Sequence, residues 1–411
     1  MDERLILENY LALPGDSVKL FLDLQSGQKV FVGPDYARYE LQDRIAALLF
    51  RNKKEAGIGI HFREGEEVFT DPAIKEAFIK SQNSFGEKLE LVQIDIPAML
   101  HQMAIRLDED DFLRDLESLI LFYRNQLDKS VLSYLQSKAI ASYYLPTIGQ
   151  LHTLARYASD SEREGAMIEE SLAQLNLGQD LPPAENVLEL YYSILSLKAK
   201  LRKVPLLTLL SQETHGLTKD YLLAKTIYQH ISKRTAPVER LKEAFQGIGS
   251  AKIRDQISPY IARISKGAPI EDFQFFDTNG KEVTLADFKG KTVLVNTYFT
   301  GCSASISFYN RILSQIEASQ SAYKNLILLS ISSDQQEEIW KQGLESGLYN
   351  SPNWIRLHTE GQGYSHPFFR DFLFSTAPRP FLIDGKGRLI AAMEIYQYPE
   401  NLFKLLSESL N

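Results

Sequence analysis

The sequence predicts a chain of three regions. These are a small β-containing α+β region over residues 1–100, a mainly helical domain over residues 101–265, and an α/β domain over residues 267–411. The first region mixes short apolar runs with turn residues, and the second repeats amphipathic helical stripes. The third alternates β-rich runs with helical ones, which is typical of a mixed central sheet with helices on both faces.

The N-terminal region opens with two β-rich runs. Ser17–Leu24 and Lys29–Val32 are separated by a glycine-containing break, which predicts a β-hairpin. Tyr36–Arg51 has apolar residues near helical spacing and predicts a helix. Ile58–Phe62 predicts a further strand, and Leu89–Ile94 fits either a strand or the start of a helix.

The middle region is a succession of helices joined by short polar or Gly/Pro breaks. The apolar stripes cover residues 112–123, 131–158, 162–175, 184–203, 219–233 and 238–248. No fixed repeat recurs along them. The pattern predicts antiparallel helical hairpins in a bundle or a short solenoid.

The last region follows a Gly/Pro break at Gly267–Pro269. The run Thr292–Phe299 is β-rich throughout, as expected for a strand that is buried on both faces. The other predicted strands cover residues 273–276, 283–285, 326–331, 380–384 and 388–393. The predicted helices cover residues 305–320, 335–346 and 399–410.

Composition excludes several classes of protein. With 45 Lys and Arg against 53 Asp and Glu, the formal charge is −8, so we expect no nucleic-acid partner. The single cysteine, Cys302, excludes intramolecular disulfides and cysteine-rich zinc sites. The seven histidines show no ligand spacing, and no phosphate-binding glycine loop is present, so we predict no metal and no cofactor.

Four segments of the last region carry a family resemblance. They are Gly267–Phe273, Asp277–Lys291, Val293–Cys302 and Pro378–Gly387, in that order along the chain. Together they resemble the TlpA-like thioredoxins, which are bacterial thiol–disulfide oxidoreductases of the redoxin type. The resemblance implies a thioredoxin fold for residues 267–411. A weaker likeness, carried by Pro14–Val18 and the later Val32-Gly33, is to the β-domain that precedes the thioredoxin domain in many exported Bacteroidetes proteins.

The resemblance also implies a site. In this family a Cys-x-x-Cys motif begins a helix, where the first thiolate attacks a disulfide and the second cysteine resolves the product. Here the motif is degenerate: Cys302 holds the nucleophile position and Ser305 the resolving position. Gly301 replaces a tryptophan. Pro378 matches the family's cis-proline, and Ala377 matches the residue that pairs with an extended substrate, so these three residues form the implied substrate groove.

Three functions remain open on these residues. The first is a monothiol oxidoreductase in which Cys302 forms mixed disulfides with a protein or small-thiol substrate. The alternative is a catalytically inactive binding or scaffold protein whose groove and helical region hold a partner protein. The third is a reductase whose resolving cysteine lies on another chain. The sequence leaves the oligomeric state undetermined.

The compartment is inferred from the resemblance alone. No run of 18 apolar residues is present, and the N-terminus lacks the pattern of a signal peptide. The chain starts as if in mid-domain, so we expect a periplasmic or cell-envelope protein whose export signal has been removed. A membrane tether would then exist only through that signal, and the cytoplasm is the alternative.

Overall fold

The protein divides into two compact units, Met1–Leu209 and Leu210–Asn411. A computed structural model describes residues 9–52, 59–63, 65–83, 88–158, 161–175, 181–182, 184–233, 236–323, 325–392 and 401–410. Three predicted elements, at residues 58–62, 388–393 and 399–410, include residues that lie outside the described ranges. The division between the units falls within one short helix, α8 (Leu206–Glu213).

The first unit contains a small β region and a helical region. Its elements are β1 (Lys19–Leu22), β2 (Lys29–Val32), α1 (Tyr36–Arg51), β3 (Gly59–Phe62), α2 (Pro72–Gln82), β4 (Glu90–Gln93), α3 (Ile96–Asp108), α4 (Phe112–Tyr123), α5 (Lys129–Tyr157), α6 (Glu162–Ala173) and α7 (Glu185–Leu201). The predicted hairpin is confirmed, because β1 and β2 pair antiparallel. Leu89–Ile94 contains a strand, β4, which pairs parallel with β3.

The helices of the first unit pack around one apolar core. Its buried members include Leu41 of α1, Phe112 of α4, Leu151 of α5 and Val187 of α7. The side chain of Asp95 accepts a hydrogen bond from the Ala98 amide and so caps the start of α3. The mainly helical character is therefore confirmed, although the periodicity missed α2, α3 and α8. No described helix is long and apolar enough to cross a membrane.

The second unit starts with three helices that precede the α/β domain. They are α9 (Gly216–Lys233), α10 (Val238–Gln246) and α11 (Ala251–Ile264). The buried carboxylate of Asp220 in α9 accepts hydrogen bonds from the amides of Gly249 and Ser250, at 2.9 and 2.7 Å. These bonds tie α9 to the start of α11. The sequence predicted α9 and α10 but not α11, and all residues up to 265 were placed in the middle region, whereas these helices lie in the compact unit that also contains the sheet.

The rest of the second unit is a seven-stranded mixed sheet with helices. Its elements are β5 (Gln274–Phe276), β6 (Glu282–Thr284), β7 (Thr292–Tyr298), α12 (Ser303–Phe308), a π-helical turn (Tyr309–Leu313), α13 (Ser314–Ala318), β8 (Leu326–Ser332), α14 (Glu337–Ser346), β9 (Ile355–His358), α15 (Pro367–Asp371), β10 (Phe381–Ile383), β11 (Leu389–Ala391) and α16 (Asn401–Leu410). The strand order is β11-β10-β7-β8-β9-β5-β6. β7, β8 and β9 are parallel, whereas β10 and β5 run antiparallel to their neighbours.

The central strand β7 is buried along its whole length, as its continuous β-rich run predicts. Val293 and Val295 contribute to one apolar core, and Leu294 contributes to a second. Because successive side chains point to opposite faces of a strand, these two cores lie on opposite sides of the sheet. The predicted mixed sheet with helices is confirmed, and β9 and α15 are elements that the sequence reading missed.

Candidate functional site

Cys302 lies where the central strand leads into a helix. The segment Phe299–Gly301 follows β7, and Cys302 is the N-cap residue of α12. Its side chain is only 8% exposed. The Sγ atom accepts a hydrogen bond from the Ser305 amide at 3.4 Å and lies 3.6 Å from the Ala377 carbonyl oxygen, to which the thiol donates. A thiol and a thiolate can both accept the first hydrogen bond, whereas only the thiol can donate the second.

Ser305 is fully buried beside Cys302. Its backbone amide, rather than its hydroxyl, makes the contact with Sγ. The hydroxyl has no hydrogen-bond partner among the residues that the structure describes. The backbone of the helix start, rather than this hydroxyl, therefore makes the contact with Sγ.

Gly301 has a backbone conformation that explains the glycine. Its φ is +92°, in the left-handed region that residues with a Cβ rarely adopt, and a Cβ there would meet no atom within 4 Å. The Gly301 amide donates to the Tyr349 hydroxyl at 2.6 Å. The glycine therefore fits a turn that a tryptophan would strain. It also leaves this position without the large apolar side chain that a tryptophan would place beside the cysteine.

The loop that faces Cys302 is held against the end of β7. The Ala377–Pro378 peptide bond is cis. Arg379 and Thr297 exchange backbone hydrogen bonds of 3.3 and 3.4 Å. Pro378 is buried and Ala377 is half-buried. The fold thus brings together the residues that the motif predicted, with Gly301 and Ala377 reaching the surface.

A buried carboxylate supports the turn before Cys302. Asp334 follows β8, and its side chain accepts from the Thr300 amide at 3.0 Å, the Thr300 hydroxyl at 2.8 Å and the Ser332 hydroxyl at 2.7 Å. Its carbonyl accepts from Nε2 of His358, whose Nδ1 accepts from the Glu360 amide. These bonds fix the position of the segment that leads into the cysteine.

The sequence reading missed Asp334, Tyr349 and Tyr364. Burial raises the pKa of Tyr364 above its usual value. The one signal in the sequence was for Asp334, which belongs to the Ser332–Asp334 run at the carboxyl end of a predicted buried strand. This is the same sheet edge at which β7 leads into Cys302.

No group of three His, Cys, Asp or Glu side chains within the described ranges is placed to hold a metal ion.

Residues 265–400 match the model of the Redoxin family. Among solved structures, the chain is similar to the thioredoxin domain of a thiol-disulfide oxidoreductase from Bacteroides vulgatus, with 24% identity over 36% of this chain and 99% of that one and a TM-score of 0.31. It is also similar to a thiol:disulfide interchange protein from Bacteroides sp., with 23% identity over 36% of this chain and 92% of that one and a TM-score of 0.31. No curated protein matches the chain.

The family match covers about a third of the chain and ends within the second compact unit. It agrees with the seven-stranded mixed sheet and with the position of Cys302 after β7. The predicted thioredoxin-type fold of the C-terminal third is thereby confirmed.

Proposed function

We propose that Cys302 carries out thiol–disulfide exchange as a single thiol, with a protein or small-thiol disulfide as its substrate. The observation that supports this most is the placement of Sγ at a helix start, between the Ser305 amide and the Ala377 carbonyl. The amide and the partial positive charge of the helix start lower the energy of a thiolate. Gly301 and Ala377 provide the partly exposed backbone along which an extended substrate would lie.

The exchange runs in two balanced steps. In the first, the Cys302 thiolate attacks one sulfur of a substrate disulfide, forms a mixed disulfide, and releases the other sulfur as a thiolate. In the second, a thiol supplied by another molecule attacks the substrate sulfur of the mixed disulfide and releases Cys302. The chain has one cysteine, so the resolving thiol has to come from a small thiol or a partner protein.

One observation favours the alternative, a binding module without chemistry. Cys302 is nearly buried, and its S–H donates to a carbonyl, an interaction that only the neutral thiol can make. In that function the groove at Ala377 would hold an extended peptide through backbone hydrogen bonds, and substitution of Cys302 by serine would leave peptide binding unchanged.

The reaction of the full chain with a small aromatic disulfide separates the two functions. We expect the native protein to release one equivalent of aromatic thiol and to gain the mass of one mixed-disulfide adduct. The Cys302→Ser variant is the control and should release none. If the native protein reacts only after unfolding in denaturant, the exchange function is wrong and the binding function takes its place.

The proposed location is the periplasm or cell envelope, since the resemblance is to exported thioredoxin-type proteins. Fractionation of cells that express the protein from its native gene tests this proposal. Recovery in the cytoplasmic fraction would contradict it.

A further inference from the structure

Arg379 is a charged side chain enclosed within the second unit. It is 2% exposed and is the largest of the fully buried side chains among the residues described. It directly follows Pro378, and its backbone pairs with that of Thr297 at the end of β7. A guanidinium is stable in such a place only when its N–H groups are satisfied, so its hydrogen-bond partners show what it holds in place.

Its hydrogen-bond partners include groups on two different elements. Within the loop, Nε donates to the Thr376 carbonyl at 3.0 Å and Nη2 donates to the Thr376 hydroxyl at 2.6 Å. Nη2 also donates to the carbonyl of Ser232, near the end of α9. The guanidinium carbon lies 5.5 Å from the centre of the Phe374 ring. One side chain therefore joins the loop before Pro378 to a helix about 145 residues earlier in the chain.

The end of α9 is a suitable acceptor for physical reasons. Ser232 is the penultimate residue of the helix, so its carbonyl is among the last four, which have no partner within the helix. The C-terminal end of a helix carries partial negative charge, which favours a cation there. A second bond joins the same elements, because the hydroxyls of Ser232 and Ser375 are 2.8 Å apart.

These contacts surround the residue that faces the thiol. Ala377 follows Thr376, which accepts two hydrogen bonds from Arg379, and precedes Pro378. The carbonyl oxygen of Ala377 lies 3.6 Å from Sγ of Cys302. We propose that Arg379 is a positioning residue that fixes the Ala377 backbone against Cys302 by anchoring its loop to the end of α9. The proposal rests on the exchange function given above and extends it, since it makes substrate capture depend on a helix outside the sheet.

The test compares two disulfides on the full chain. A peptide disulfide needs the Ala377 backbone, whereas a small aromatic disulfide needs only Sγ. We expect Arg379→Met to lower the rate constant with the peptide about tenfold relative to that with the aromatic disulfide, because small displacements of a binding group cost about this much or more. Arg370→Met is the matched control, since Arg370 is an exposed arginine of α15, and it should change neither rate.

Hydrogen exchange gives a readout that is independent of the chemistry. Arg379→Met should speed exchange both in residues 374–379 and in the last turn of α9, while β8 stays protected. If Arg379→Met does not fold, Ser375→Ala removes only the bond to Ser232 and should cause a smaller change in the same direction. Unchanged exchange at the end of α9, or an equal loss of rate with both disulfides, would overturn the proposal. Failure of the unmodified protein to react with the aromatic disulfide would instead overturn the exchange function.

Discussion

At the scale of the residue, the two departures from the family motif have different physical consequences. Ser305 removes the resolving thiol but leaves the backbone contact to Sγ intact. Gly301 allows a left-handed turn whose amide donates to Tyr349. In the proposed function, Ser305 therefore supplies no second thiol, while its backbone amide still contacts Sγ of Cys302.

We predict that Ser305→Cys restores an internal disulfide with Cys302. The two positions are three residues apart at a helix start, and the Ser305 side chain is buried beside Sγ without a polar partner, so a thiol there lies within bonding reach. Alkylation should count two thiols in the reduced variant and none after mild oxidation. Ser307→Cys, at an exposed position on the same helix, is the control and should keep two thiols. Two free thiols in oxidised Ser305→Cys would disprove the geometry.

Gly301→Ala should lower the free energy of unfolding by about 1 kcal/mol, because alanine has to adopt a φ of +92°. A Cβ at this position meets no atom within 4 Å, so backbone strain is the whole effect. Gly149→Ala, in the interior of α5 and equally free of contacts, should raise the free energy by about 1 kcal/mol. Urea unfolding of both variants measures the difference, and an unchanged midpoint for Gly301→Ala would contradict the argument.

At the scale of the element, a strand was predicted from the sequence when its β-rich run is long and continuous. β7 and β8 are continuous β-rich runs of seven residues each, and both were predicted almost to the residue. β9 was missed because it is only four residues long and two of them, Arg356 and His358, are polar residues that nevertheless lie in the sheet. Cys302 and Pro378 were found because short motifs mark them. Asp334, Tyr349 and Arg379 were not found, because only folding brings these separate segments to one place.

His366 provides a pH test on an element that the sequence missed. Its ring is buried, Nε2 donates to the Gln274 carbonyl at 2.9 Å, and Nδ1 accepts from the Phe368 amide at the start of α15. Burial lowers the pKa of His366 below its usual value, so the folded protein resists a proton that the unfolded chain accepts near pH 6.5. Its contribution to stability is complete above that pH and is lost as the pH falls toward the folded pKa.

We therefore expect the free energy of unfolding to fall between pH 7 and 5. His366→Asn should reduce that fall, because asparagine can still cap α15 but does not titrate. His101→Asn, at an exposed position on α3, is the control and should leave the slope unchanged. The difference in slope is the quantity to measure, because burial also lowers the pKa of His152 and of His230. An equal slope in His366→Asn and the parent protein would show that this histidine is not responsible.

At the scale of the whole molecule, the sheet domain and the helices before it share one compact unit. A domain boundary at Gly267 is consistent with the Gly/Pro break and with the start of the family match, and we predict that residues 267–411 fold alone. Yet Arg379 and Ser375 both bind Ser232 of α9, and Arg263 of α11 lies 3.4 Å from a carboxylate oxygen of Asp371. A fragment that begins at residue 267 keeps the sheet but loses these partners.

We predict that the fragment 210–411 is more stable than the fragment 267–411 by about 2 kcal/mol. The shorter fragment lacks Ser232 and so loses the hydrogen bond from Nη2 of Arg379 to its carbonyl, and a hydrogen bond from a charged group contributes about 1.5–3 kcal/mol to stability. Urea unfolding of both fragments, each with and without Arg379→Met, forms a double-mutant cycle. The substitution should cost less in 267–411 than in 210–411, because the shorter fragment has already lost the contact to α9. An equal cost in both would show that Arg379 acts only within its own loop. An insoluble 267–411 would show instead that the boundary lies before α9.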